Sequence, residues 1–182
     1  MRVLKVIGAV IVILIVIFVI AGLLLPSTYS VERSIVIDAT PAEIHEYVGD
    51  LNKWEEWEPW TEADPSIDVT RGYKTTGVGA NQTRTGDSGN GTLEFIMSSP
   101  ETGIEYDLVF DGQFESRSAI LYEPAKNGGT EVTWIMSGDT EKPVIGGDCA
   151  VMIDVMAGDM FEKGLSDLKQ VVESGNSART DR

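Results

Sequence analysis

Few residues of this 182-residue chain have types that suggest chemistry, and their surroundings argue against most of it. His45 is the only histidine, and imidazole is the side chain whose ordinary pKa lies nearest neutral pH. It falls one position off the apolar stripe of Ile44, Tyr47, Val48 and Leu51, beside Glu46 in "EIHEY". That placement predicts an exposed surface histidine with no catalytic part. Cys149, in "GGDCAVM", stands near the start of a predicted helix, where backbone N–H groups can activate a thiol. No histidine or basic residue is near it in sequence, so a buried, inert thiol is expected. A single cysteine forms neither an internal disulfide nor a cysteine-based metal site. The glycine-dense "TTGVGANQTRTGDSGNG" lacks the G-K-[ST] ending and the following helix of a phosphate-binding loop, and reads as hairpin turns. Hydrolytic or cyclising chemistry needs a carboxylate or tyrosine inside the fold. Glu94, Glu105 and Asp107 alternate with apolar neighbours and point outward, which leaves Tyr106 and Tyr122 as inward candidates, both read as structural. No spacing suits a metal. No catalytic residue, metal or cofactor is expected.

Three tryptophans in seven residues, Trp54, Trp57 and Trp60 of "LNKWEEWEPW", demand an apolar partner. The element carrying them follows a strand at 29–38. Thr40 is a helix N-cap with Pro41 at the first helical position and Glu43 in the first turn. Gly49 weakens that helix, which predicts a short helix, a break, and a second short helix with the tryptophans. Strands are predicted at 66–71, 77–85, 90–98, 103–111, 114–123 and 129–138, divided by turn residues. Their alternation places Phe95 and Met97, then Tyr106 and Phe110, then Trp134 and Met136, on one apolar face. A helix from Val144 to about Ser174 carries a stripe that includes Met156, Met160, Phe161 and Leu165, with Met152 counted on the same inner surface. The polar segment 175–182 is expected to be disordered. One helix covering a curved seven-stranded antiparallel sheet gives an α+β architecture. The space beneath such a sheet holds either large packed side chains or a cavity.

The N-terminus is a separate object. Val6 to Leu25 is a run of twenty uncharged residues preceded by Arg2 and Lys5. As a helix it would span about 30 Å, the thickness of a bilayer core. It is longer than a signal-peptide apolar region and ends in "LLLPSTYS" without a small-residue cleavage pattern. The expected organisation is a cytoplasmic end at 1–5, a transmembrane anchor at 6–25, a linker at 26–30, a folded domain at 31–174 and a tail. The positive-inside rule then puts the domain in the periplasm or outside the cell, in a single-pass membrane protein. Beyond the first five residues the chain carries 29 acidic and 12 basic side chains, a net charge of −17, which excludes nucleic acid as a partner.

"IDATPAEIHEYVGDLNKWEEWEPW" followed by "DP" resembles the SRPBCC (START-like) superfamily, in particular its polyketide cyclase/dehydrase and lipid-transport family. Asp50, Trp54, Trp57, Pro59 and Trp60 stand at the family's D-x-x-x-W-x-x-W-x-P-W positions, and "GTEVTWIMSGD" and "MFEKGLSDLK" look like its later strand and helix. The resemblance covers roughly residues 30–173. It implies a helix-grip fold: a sheet wrapped on the long C-terminal helix, two short helices in a V, and a hydrophobic cavity between them. Members carry lipids, sterols, quinones or polyketides, and some catalyse cyclisation or dehydration. The implied ligand is an apolar small molecule or lipid. Trp57, Trp60, Phe95, Met97, Tyr106 and Phe110, with Trp134, Met136, Met152, Met156 and Met160, are the candidate cavity lining. A cyclase or dehydratase using the same cavity, and a partner-binding module with a filled core, are the alternatives. The fold also implies that Trp60 lies at the same end of the domain as residue 31, next to the anchor. Trp60 would then sit on the lip of a mouth facing the bilayer, amid Glu62, Asp64, Asp87, Asp111, Asp139 and Glu141. An acidic mouth receiving a neutral or cationic solute is the other reading.

Overall fold

The computed structural model describes residues 6–8, 10–14, 16–17, 20, 28–126, 128–139 and 146–180, with side chains at 146–152 and 177–180 outside the description. Strand β1 (Thr28–Ile37) leads into helix α1 (Pro41–Val48), a 3-10 helix (Leu51–Glu56) and the single turn α2 (Trp60–Ala63). Six strands follow: β2 (Asp68–Arg71), β3 (Asn81–Thr85), β4 (Gly91–Ser99), β5 (Gly103–Phe110), β6 (Phe114–Pro124) and β7 (Thr130–Asp139). Helix α3 (Gly146–Thr180) closes the chain. The strands form one antiparallel sheet in the order β1-β7-β6-β5-β4-β3-β2.

Local chemistry sets the short helices. The N3 amide of Glu43 donates to the Thr40 hydroxyl, and the Thr40 amide donates to the Glu43 carboxylate at 2.8 Å, a complete capping box with Pro41 at the first position. Asp50 then accepts from the Asn52 amide at 3.0 Å and starts the 3-10 turn. The sequence places the tryptophans on one short helix. They occupy three settings instead: Trp54 within the 3-10 helix, Trp57 at its end, and Trp60 opening α2.

β3 begins at Asn81, later than the 77–85 expected. Gly77 and Gly79 adopt φ of 69° and 82°, which turns the chain before the ladder can start. Helix α3 runs on through Thr180, so the backbone of the expected disordered tail is helical up to that residue. It lies against β1, tied by Arg33 Nε to Glu162 Oε1 at 2.9 Å and by Lys169 Nζ donating to the Val36 carbonyl at 2.7 Å.

The core lies between the concave face and α3. Trp134 stacks on Phe161 at 4.2 Å and 3°, and Trp57 meets Trp134 edge-on at 5.5 Å. Ile37, Ile44, Leu51, Ile104, Ile120, Leu165 and Leu168 are fully buried around them. In the expected anchor, the described residues of 6–20 are helical and exposed. Among the described residues no helix is long and apolar enough to cross a membrane; the rest of the 6–25 run lies outside the description.

Candidate functional site

The sheet's register brings the start of β1, the end of β7, the end of β5, the start of β4 and the end of β3 to one end of the domain. A cavity of about 290 Å³ opens there, between the strands and the first half of α3. Inward positions paired across the ladder line it: Val69 and Arg71 on β2, Gln82 and Arg84 on β3, Gly91 and Leu93 on β4, and Tyr106, Leu108 and Phe110 on β5. Ser118 on β6 and Trp134 and Met136 on β7 continue the wall. Ile153, Met156, Ala157, Met160 and Phe161 of α3 face them, and Trp54, Glu58 and Trp60 complete the lining from the helical connection. Met156 is 67% exposed and marks the mouth.

Of the expected lining, Trp60, Tyr106, Phe110, Trp134, Met136, Met156 and Met160 border the cavity. Trp57 and Phe95 do not. Both are sealed in the core, Trp57 packed 5.3 Å from Trp54 and Phe95 packed 5.9 Å from the same ring. Met97 lies on the opposite face of the sheet. A bulge between Phe95 and Met97 pairs Phe95 with inward Tyr106 but Met97 with Glu105, and the extra residue inverts the alternation. Beyond the bulge Ser98 pairs with buried Ile104. The side chain of Met152 lies outside the described residues, as does that of Cys149.

His45 is not the exposed surface residue its spacing suggests. It is half-buried, with Nδ1 3.3 Å from the Tyr122 hydroxyl and Nε2 3.2 Å from Ser98 Oγ. Burial lowers its pKa, against a weaker pull from Glu101. Tyr122, expected on the inner face, is buried in this seam and does not line the cavity.

The polar residues of the cavity escape the sequence reading. Glu58 is half-buried at the lining, and desolvation raises its pKa against hydrogen bonds from Thr61 Oγ1 at 3.0 Å and the Trp60 amide at 3.1 Å. Desolvation lowers the pKa of Arg84, with Glu58 and Tyr106 acting the other way. Its guanidinium stands 4.8 Å over the Phe110 ring and 5.4 Å over the Trp60 ring. Tyr106 is buried, its pKa pushed up to about 12 by desolvation, and Trp134 Nε1 donates to its hydroxyl at 2.9 Å. Gln82 Oε1 is buried without a hydrogen-bond partner among the described residues, and Ser118, the cross-strand partner of Tyr106, sets its hydroxyl against the phenol and offsets part of that rise. One signal for these residues was available. "NQTRT" is a strand with no apolar residue in a sheet with an apolar face, so its inward positions had to be polar.

A curved antiparallel sheet gripping one long helix over a cavity defines the helix-grip class. The chain belongs to the polyketide cyclase/dehydrase and lipid-transport family of the SRPBCC superfamily, whose profile matches residues 28–173. No curated protein matches it in sequence. Among solved structures it is similar to a protein of unknown function from Staphylococcus aureus, with TM-score 0.64 and 10% identity over 82% of this chain and 96% of that one. It is also similar to Ara h 8.0201, with TM-score 0.58 and 16% identity over 81% of this chain and 99% of that one. A protein from Thermobifida fusca matches with TM-score 0.59 and 19% identity over 79% of this chain and 92% of that one. At these identities the likeness concerns the fold.

Proposed function

We propose that this chain binds an apolar small molecule or lipid in the cavity beneath its sheet, while held at a membrane by residues 6–25, with the domain in the periplasm or outside the cell. The observation that carries the binding reading is the cavity itself. About 290 Å³ stays open within a domain whose other half is packed with rings, and its wall is mostly aromatic, aliphatic and methionine. Methionine at the mouth suits ligands of variable shape. The anchor reading rests on the uncharged 6–25 run, the two basic residues before it, and the exposed apolar surface of its described part. Thr28 begins β1 at the mouth end, so the linker would hold the opening near the bilayer.

Organic extraction of the full-length chain, purified in detergent and analysed by mass spectrometry, tests the binding reading. A stoichiometric apolar compound absent from a control membrane protein is the expected result, and its absence supports a filled or partner-binding module. Protease added to intact cells or spheroplasts should degrade a C-terminal tag; a protected tag overturns the orientation.

One observation favours an enzyme as the second reading. Glu58 is a cavity carboxylate whose raised pKa suits a proton donor or acceptor. Chemical change of the extracted compound by the wild-type chain, lost in Glu58→Gln, would establish a cyclase- or dehydratase-type activity.

A further inference from the structure

Arg84 is the least expected group in the cavity. It extends from β3 across β4 at Gly91, its cross-strand partner, and a Cβ at position 91 would come within 3.0 Å of its Nε. With no side chain at Gly91, the arginine lies along the wall without having to give way. Phe110 and Trp60 take up the guanidinium through their rings, and no hydrogen bond or ion pair satisfies its N–H donors among the described residues. The other basic residue of the lining is arranged differently: Arg71 donates to Glu55 Oε1 at 2.6 Å and to the Leu51 carbonyl at 3.0 Å. Glu58 acts on Arg84 through space, its own oxygens engaged by Thr61 and the Trp60 amide. A planar five-donor fork, desolvated and without acceptors, fits a carboxylate, which it can hold through two parallel hydrogen bonds.

We propose that Arg84 anchors the carboxylate of an otherwise apolar ligand, whose body lies along Leu93, Leu108, Met156 and Met160. This rests on the cavity-binding reading above and narrows it to apolar acids, in place of the neutral or cationic solute that an acidic mouth suggests. Asp64, Asp87, Asp111 and Asp139 do stand at the mouth end, next to the strand termini. Their charges act through water and are screened within about 8 Å at physiological salt, whereas Arg84 acts where water is partly excluded. A weak acid can pass that rim protonated and ionise against the guanidinium.

The test compares 9-anthracenecarboxylate with its neutral analogue 9-anthracenemethanol, using the full-length chain in lipid nanodiscs with empty nanodiscs as the blank. Binding is read by quenching of tryptophan emission. The acid should bind about tenfold more tightly than the alcohol, the effect of one hydrogen-bonded charge. Arg84→Met should bring the acid down to the alcohol's level and leave the alcohol within about twofold. Glu58→Gln, which removes the opposing carboxylate, should tighten binding of the acid alone. Equal binding of the two probes by wild type, or a preference that survives Arg84→Met, overturns the anchor and leaves the cavity reading intact. Failure of both probes to bind overturns the cavity reading and the anchor with it. Should Arg84→Met not fold, the Glu58→Gln arm decides: an unchanged acid affinity overturns the proposal.

Discussion

The two ends of the concave face are built from the same strands and filled differently. Away from the mouth, Trp54, Trp57, Phe95, Ile104, Ile120 and Val132 meet Leu165, Leu168 and Val172 of α3, and the space is closed. Toward the mouth, the cross-strand positions hold Gly91, Leu93, Leu108 and Ser118 opposite Ala157, and the volume of those side chains falls short of the gap. The polar groups do not divide so cleanly. At the closed end His45, Tyr122 and Ser98 hold one another while Trp57 Nε1 has no hydrogen-bond partner among the described residues; at the open end Tyr106 and Trp134 are bonded to each other, and Arg84 and Gln82 Oε1 have none. A continuous ladder can therefore hold a closed core and an open cavity side by side, the gap falling where small residues stand opposite large ones.

Tryptophans on either side of that division should separate stability from binding. Trp57→Ala should destabilise the domain by about 3–5 kcal/mol, since a fully buried indole leaves a large void. Chemical denaturation reads the loss, while the surviving folded fraction should bind 9-anthracenemethanol nearly as wild type does. A small stability cost with lost binding would move the boundary of the closed end.

His45→Ala comes next, at about 1–3 kcal/mol, because the buried Tyr122 hydroxyl and Ser98 lose their shared partner. The sign of the accompanying pH effect is fixed. The folded pKa lies below the ordinary 6.5 or so, so the unfolded chain binds more protons between the two values. Stability is complete above about pH 6.5 and falls as the pH drops toward the lowered value. The urea midpoint of wild type should decline over that window, and His45→Ala should flatten the decline.

At the open end the effects on stability are smaller. Trp60→Ala should cost about 1 kcal/mol, a partly exposed ring losing its contact with Arg84. Its larger effect should be several-fold weaker probe binding, read by calorimetry. Met156→Ala should change stability least, by within about 0.5 kcal/mol. It too should weaken the anthracene probes. A full core penalty at Met156 would show that the mouth is closed in solution.

Much of this division was legible in the residues. Period-2 alternation in "IEYDLVF" and "EVTWIM" places Tyr106, Phe110, Trp134 and Met136 on the inner face, and 3.6-residue spacing gives α3 its stripe. Alternation alone puts Met97 inward, because a bulge adds one residue without any mark in the sequence pattern. His45 lies off the single apolar stripe of α1, yet β4 and β6 supply a second surface that meets the helix from the side, and no helical spacing shows it. Glu58 and Arg84 were invisible to reasoning that sends charges outward. They face inward because their neighbours hold them: Thr61 and the Trp60 amide for the carboxylate, and the Phe110 and Trp60 rings for the guanidinium.

Gly91 carries a consequence for how finely the position of the cavity's arginine can be adjusted. Glycine and alanine codons differ by a single base, and one methyl at this position would press on the Arg84 side chain. A contact of 3.0 Å is relieved by a shift of a few tenths of an ångström, so Gly91→Ala would nudge the guanidinium across the Phe110 and Trp60 rings without turning it out of the wall.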